Sequence, residues 1–166
     1  MQIKNRISAF QEEMTSWRHH FHEHPELAYK EINTSKKVVE LLKSFGIDSI
    51  EEGLGKTGIV ATLENGTGKS IGLRADMDAL PIFEENNDKK YKSKTDGKMH
   101  ACGHDGHTTM LLGAAKYLSE TKNFNGKVIL IFQPAEEGFA GAKAMIEDGL
   151  LEKYPIDEIY GMHNMP

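Results

Sequence analysis

A chain of 166 residues, 39% hydrophobic and 27% charged, is long enough for one domain around a single core and too mixed in composition to be disordered or membrane-embedded. A net charge of -5, with no Lys/Arg stripe interleaved with aromatics, excludes nucleic acid as an expected partner, and no apolar run approaches the length of a membrane span or a signal-peptide core. The single cysteine, Cys102, excludes an intrachain disulfide, fits a reducing cytoplasm and leaves one thiol free for metal or chemistry.

In chain order, Ile3, Ile7, Phe10, Met14, Trp17 and Phe21 step by fours and threes, which predicts one amphipathic helix ending by His24, before Pro25. Arg18, His19, His20, His22, His24 and Glu26 crowd its C-terminal end, where cationic side chains complement the helix dipole, so a structural role is expected of them. Thr34 or Ser35 is placed to cap a second helix with Val38, Val39, Leu41, Leu42 and Phe45 on its apolar face, ended by Gly46. Strands are expected over 47–50, 58–63 and 71–75, separated by turns at Gly53-Leu54-Gly55 and Asn65-Gly66-Thr67-Gly68. The third runs into Asp76 and Asp78, and after Pro81 the chain reads as a solvated loop through Lys98. A helix follows over Thr108 to Leu118, then an apolar run, Val128 to Phe132, that suits a strand buried on both faces. A helix from about Ala140 to Asp148 and a last strand, Ile156 to Tyr160, lead to Gly161-Met162-His163-Asn164-Met165-Pro166.

This alternation predicts an α/β fold: a mixed, largely parallel sheet flanked by helices. In such sheets ligands bind beyond the carboxyl ends of the strands. Three runs end there in donor residues, namely Asp76 and Asp78, then Glu136 and Glu137, then His163. A fourth segment, Met99-His-Ala-Cys-Gly-His-Asp-Gly-His107, enters a helix from the same side with Cys102, His104, Asp105 and His107. Four distant segments carrying donors to one sheet edge point to a metal site, since core packing predicts no such agreement. Thiolate, imidazole and carboxylate together suit Zn, Mn, Co or Ni better than Ca or Mg. One of the adjacent glutamates can bind metal while the other faces a water as general acid/base. Asp78 reads as a turn residue, and Asp76 as the partner that orients a ligating histidine.

These residues resemble the metal-dependent amidohydrolases and peptidases that include hippurate hydrolases, N-acyl-amino-acid hydrolases and auxin-conjugate hydrolases. The similarity runs along the chain through His22-Glu-His-Pro-Glu-Leu27, Leu73-Arg-Ala-Asp-Met-Asp-Ala-Leu-Pro81, the Met99 to His107 motif, Gln133 to Gly138, Gly141-Ala-Lys-Ala-Met145 and His163-Asn-Met-Pro166. The resemblance implies a zinc-peptidase-like catalytic domain with two divalent transition-metal ions, Mn or Zn first and Ni or Co next. Cys102, His104, Glu137 and His163 would be ligands, with Cys102 bridging, and Glu136 the catalytic base. His107 and Asp105 match the motif as supporting or helix-start residues. The substrate implied is a small N-acyl amino acid or peptide-like amide. Members of this family continue into a lid and dimerisation domain and return with a final histidine ligand. Residues 1–166 therefore read as the N-terminal portion of the catalytic domain of a protein that is a homodimer at full length, weak or inactive as a piece. Two further readings compete: a non-catalytic metal-binding or partner-binding domain on the same scaffold, and a cysteine hydrolase with Cys102 as nucleophile.

Overall fold

The computed structural model describes residues 3–164; Met165 and Pro166 and the side chain of Ile3 lie outside the described residues. Eleven elements follow in order: α1 (Ile3–Ser8), α2 (Gln11–Glu23), α3 (Ile32–Ser44), β1 (Ile50–Leu54), β2 (Gly58–Asn65), β3 (Ser70–Asp76), α4 (His104–Thr121), β4 (Gly126–Gln133), α5 (Gly141–Glu147), α6 (Leu150–Lys153) and β5 (Glu158–Gly161). The strands form one sheet in the order β1-β2-β4-β3-β5. β4 and β5 both pair parallel to β3, while β2 pairs antiparallel to β1 and β4, so only β2 runs against the rest.

The sheet is sandwiched. Val128, Leu130 and Phe132 of β4 face α2, α3 and α4 with Trp17, Phe21, Val38, Leu42, Leu112 and Ala115. Ile129 and Ile131, the alternate residues, pack with Val60, Met145 and Leu150 on the other face. The period of two thus splits one apolar run between two cores, as a strand covered on both sides requires. Each fully buried Leu, Ile or Phe here contributes about 1.5–3 kcal/mol. β5 differs, being exposed throughout.

Four expectations about elements need correction. The first amphipathic stripe is two helices, because the chain tightens after Ser8: Phe10 N bonds Ile7 O at 2.9 Å and Phe10 sits at ψ 2, which turns its ring into the core between the Arg6 guanidinium and Lys116 Nζ, each 4.6 Å from the ring centre. α3 starts at Ile32, ahead of Thr34 and Ser35. Its open N–H groups are served from outside the helix by Glu26, whose carboxylate accepts from Thr34 N at 2.8 Å and Thr34 Oγ1 at 3.0 Å. β1 is displaced from 47–50 to Ile50–Leu54. Ile47 is taken up by the end of α3, where Ile47 N reaches Leu42 O and Gly46 N reaches Lys43 O, the paired bonds of a Schellman motif. The pairing with β2 then carries on through Gly53 as a bulge. α6, a single turn after Gly149, was not foreseen.

Residues 81–98 form no helix or strand, as expected of a loop. Its base is closed by paired hydrogen bonds between Leu80 and Met99, both 3.0 Å. A second closure lies inside it, since Glu84 is buried and accepts from Ser93 N at 2.7 Å and Lys89 Nζ at 2.8 Å.

Candidate metal centre

The carboxyl ends of β3 and β4 lie side by side, with Asp76 paired to Gln133. Beyond them the chain stays hydrogen-bonded: Met77 N to Gln133 O at 3.0 Å, Ala79 N to Glu26 O at 2.8 Å, and Leu80 to Met99. That path delivers Cys102 and the first turn of α4 to the sheet edge. Gly103, at φ 84, makes the turn into α4, and a Cβ there would meet Asn164 Oδ1 at 2.8 Å, so the segment carrying His163 crosses directly over it.

His104 is the hub. Its side chain is fully buried, and neither ring nitrogen has a hydrogen-bond partner. Nδ1 is 3.3 Å from Asp78 Oδ1, while Nε2 faces Asp76 Oδ1 at 3.6 Å, Glu136 Oε2 at 3.7 Å and Glu137 Oε1 at 3.8 Å. Glu137 Oε1 is likewise buried and unpartnered. Cys102 Sγ lies 3.7 Å from His163 Nε2, whose Nδ1 is fixed by Asn164 O at 2.7 Å. Donor atoms of Cys102, His104 and Glu137 lie within 4.8 Å of one another, as do those of Asp76, His104, His107 and His163. The two sets share His104.

His107 differs from the other histidines in the second set. Its Nδ1 is 2.6 Å from Asp76 Oδ1 and its Nε2 accepts from Asn164 N at 3.1 Å, so both nitrogens are engaged. Asp76 is further held by Arg74 Nη1 at 2.6 Å, and its carbonyl accepts from Thr108 Oγ1.

The electrostatics follow from crowding acids around few cations. Burial acts to lower the His104 pKa, but the Asp78 carboxylate 3.3 Å from Nδ1 and the charges of Asp76 and Glu136 outweigh it and hold it above normal. Burial acts to raise Asp78, yet His104 and the amides of Glu137 and Glu136 win and keep it below the usual carboxylate range. The Cys102 thiol is pushed up to about 11, first by burial and then by Glu137, Glu136 and Asp76. A pocket of this kind fits cations: it holds unpartnered imidazole and carboxylate atoms and a thiol whose ionisation its acidic neighbours oppose.

The structure thus brings Cys102, His104, Glu136, Glu137 and His163 together, with Asp76 and His107 behind them. Asp105 lies elsewhere. Its Oδ2 bonds His22 Nδ1 at 2.8 Å and Arg18 Nε at 3.3 Å, and His22 Nε2 reaches Glu84 at 3.0 Å, a buried cluster beside the centre. His22 of the predicted histidine-rich end is therefore structural in its contacts, while His24 Nδ1 bonds only His20 O. Asp78 does more than its place after a strand suggests. It is no mere turn residue: besides approaching His104 it accepts from Glu136 N at 2.9 Å and Glu137 N at 3.0 Å. The signal available was the spacing Asp76-Met77-Asp78, which on an extended chain puts both carboxylates on one side and Met77 on the other.

Comparison with known proteins agrees with this geometry. The chain is 56% identical to hippurate hydrolase of Campylobacter jejuni over 100% of its own length and 43% of that protein. It is 49% identical to IAA-amino acid hydrolase ILR1-like 5 of Arabidopsis thaliana over 96% of the chain and 37% of that protein. The chain spans less than half the length of these curated relatives. Among solved structures, the YXEP protein of Bacillus subtilis, described as a dinuclear metal binding peptidase, superposes with a TM-score of 0.88 at 42% identity, covering 96% of this chain and 44% of that one. Residues 72–166, which carry every donor of the centre, match the description of peptidase family M20/M25/M40, and the chain belongs to that family.

Proposed function

We propose that these residues are the N-terminal portion of a catalytic domain that hydrolyses the amide bond of N-acyl amino acids or small peptide-like substrates with two divalent metal ions. The observation that carries this reading is His104: a fully buried imidazole with no hydrogen-bond partner, facing four carboxylates, within donor reach of Cys102 and Glu137. Cys102, His104, Glu137 and His163 hold the ions, and Zn, Mn, Co and Ni all suit this donor set. His107 has no free nitrogen, so it serves as a strut that Asp76 fixes. When bound, such ions polarise a carbonyl and acidify a water.

Glu136 is the base. Its carboxylate is partly exposed at the same hub, and Asp78 grips its backbone N–H, so it can take a proton from the attacking water and pass it to the departing amine nitrogen. The relatives named for hippurate and IAA-amino acid hydrolysis support N-acyl amino acids as the substrate class. A cysteine nucleophile fits poorly, because a thiol held at about 11 by burial and by surrounding carboxylates is protonated at neutral pH.

The test is metal content. Protein purified without chelator and analysed for elements is expected to carry close to two transition-metal ions per chain, lost or halved in Cys102→Ala. Wild-type protein that carries none, and takes up none on titration with Zn2+ or Mn2+, overturns the reading for this chain. Metal held fully by a complete enzyme that never hydrolyses an amide would favour a non-catalytic binding domain.

A further inference from the structure

Glu31 is fully buried, and nothing in the proposed chemistry uses it. It occupies the N-cap position of α3 but makes no side-chain bond to its own helix. Its carboxylate reaches away instead: one oxygen accepts from Ala135 N at 2.9 Å, the other from Thr57 Oγ1 at 2.6 Å. Ala135 is the hinge between β4 and the two glutamates. It stands at φ 53, a left-handed conformation alanine rarely adopts, and its carbonyl accepts from Gly141 N at 3.0 Å to close the loop. With the two bonds of Asp78, three successive amides, those of Ala135, Glu136 and Glu137, each donate to a buried carboxylate. Successive N–H groups converging on anions form a nest, and its shape dictates where the attached side chains point.

We infer that Glu31 is a positioning residue: its carboxylate clamps Ala135 in the left-handed conformation and so sets the directions of Glu136 and Glu137. The inference rests on the roles of base and ligand given to those two glutamates above. A misplacement of about 1 Å in such groups costs on the order of 100-fold in rate.

The test compares Glu31→Met, which keeps the size and removes the acceptors, with Glu31→Gln and Thr57→Val. In the complete enzyme, Glu31→Met is expected to lower kcat by about 10–100-fold at unchanged KM and to weaken Zn2+ binding by about 10-fold. Glu31→Gln restores most of both, since its amide oxygen still accepts from Ala135 N. Adding Ala135→Gly to Glu31→Met recovers part of the loss, because glycine holds φ 53 unaided. Thr57→Val breaks only the other bond and lowers the melting temperature with kcat and Zn2+ affinity kept. If Glu31→Met does not fold, the Glu31→Met/Thr57→Val pair, which buries no lone hydroxyl, replaces it. Wild-type kcat and Zn2+ affinity in the Met variant, or equal losses in Thr57→Val, overturn the clamp. Should wild-type protein bind no Zn2+, the metal reading falls, and hydrogen exchange at the amides of Ala135, Glu136 and Glu137 still decides: faster in Glu31→Met than in Thr57→Val upholds the clamp, equal rates overturn it.

Discussion

Two buried polar clusters share the first turn of α4, and they differ in how completely they satisfy themselves. His104 belongs to one, and the next residue, Asp105, to the other. Around Asp105, both nitrogens of His22 and both oxygens of Glu84 have partners, Arg18 and Lys89 add positive charge, and of the three side chains only Asp105 Oδ1 is left without a partner. Around His104, unpartnered nitrogen and carboxylate atoms converge. A nearly closed network of charges holds a structure together, and losing a member leaves another buried and unpaired. An open one gains its partners from a ligand. Removing a residue should therefore cost stability in the first cluster and metal or turnover in the second.

The sharpest break comes from Glu136→Gln. In the complete enzyme it is expected to reduce turnover by about 100- to 10,000-fold while metal content stays unchanged, since the proposed base is not among the proposed ligands. Retained turnover would remove Glu136 from its role. His22→Ala should do the opposite: by leaving Asp105 and Glu84 short of a partner it costs about 3–5 kcal/mol, a fall of roughly 10 °C in melting temperature, with metal content intact. Loss of metal without loss of stability would invert the comparison.

Acid titration sharpens it further. Burial first, with His104 and His22 adding, pulls the His100 pKa from 6.5 down to about 4. Between those values the unfolded chain binds a proton that the folded chain refuses, so stability falls as pH drops through that window, by at most about 1.4 kcal/mol per pH unit. Glu84 acts lower down. Burial would raise it, but Lys89, Ser93 N and His22 bring it to about 2, so its contribution is present above the ordinary value of 4.5 and is lost as pH falls from there through 2. His22 is raised despite its burial, by Asp105 and Glu84, so its contribution is full below 6.5 and fades as pH rises through its folded value. Denaturant midpoints measured across this range should slope in acid, and His100→Phe should flatten the upper part of the slope. The smallest effect belongs to Lys94→Ala. Its ion pair with Glu23 is 2.6 Å long, but Lys94 is 61% exposed, and a change of about 0.5 kcal/mol or less is expected in the same titrations.

Much of this was legible in the sequence because the signals are local. The run Val128 to Phe132 declares a doubly covered strand, Gly46 a helix end, and the donors at Asp76, Glu136, Glu137 and His163 declare themselves by following apolar runs. What stayed hidden depends on distant partners. Glu26 reads only as one more residue in the polar cluster at a helix end and Glu31 carries no sequence signal, yet one caps α3 through Thr34 and the other binds an amide 104 positions away. Glu84 sits in a strongly polar stretch whose composition says solvent, and only contact with His22 shows it is buried. Asp105 stands among the donors in sequence, as their immediate neighbour. On a helix, adjacent residues point about 100° apart, and that rotation sends it to the other cluster.

The doubly closed loop has a practical consequence for engineering. Leu80 and Met99 seal its outer base, and Glu84 with Ser93 seals a smaller circuit within. Residues 85–88, ahead of Lys89 on Glu84 and of the Tyr91 ring stacked on His19, are thus insulated from the sheet edge by two successive locks. Extra residues placed there need only close a longer ring, at roughly 0.6 kcal/mol for each doubling of length. A spectroscopic label or an affinity handle grafted at that point can report on the protein without disturbing the residues around His104.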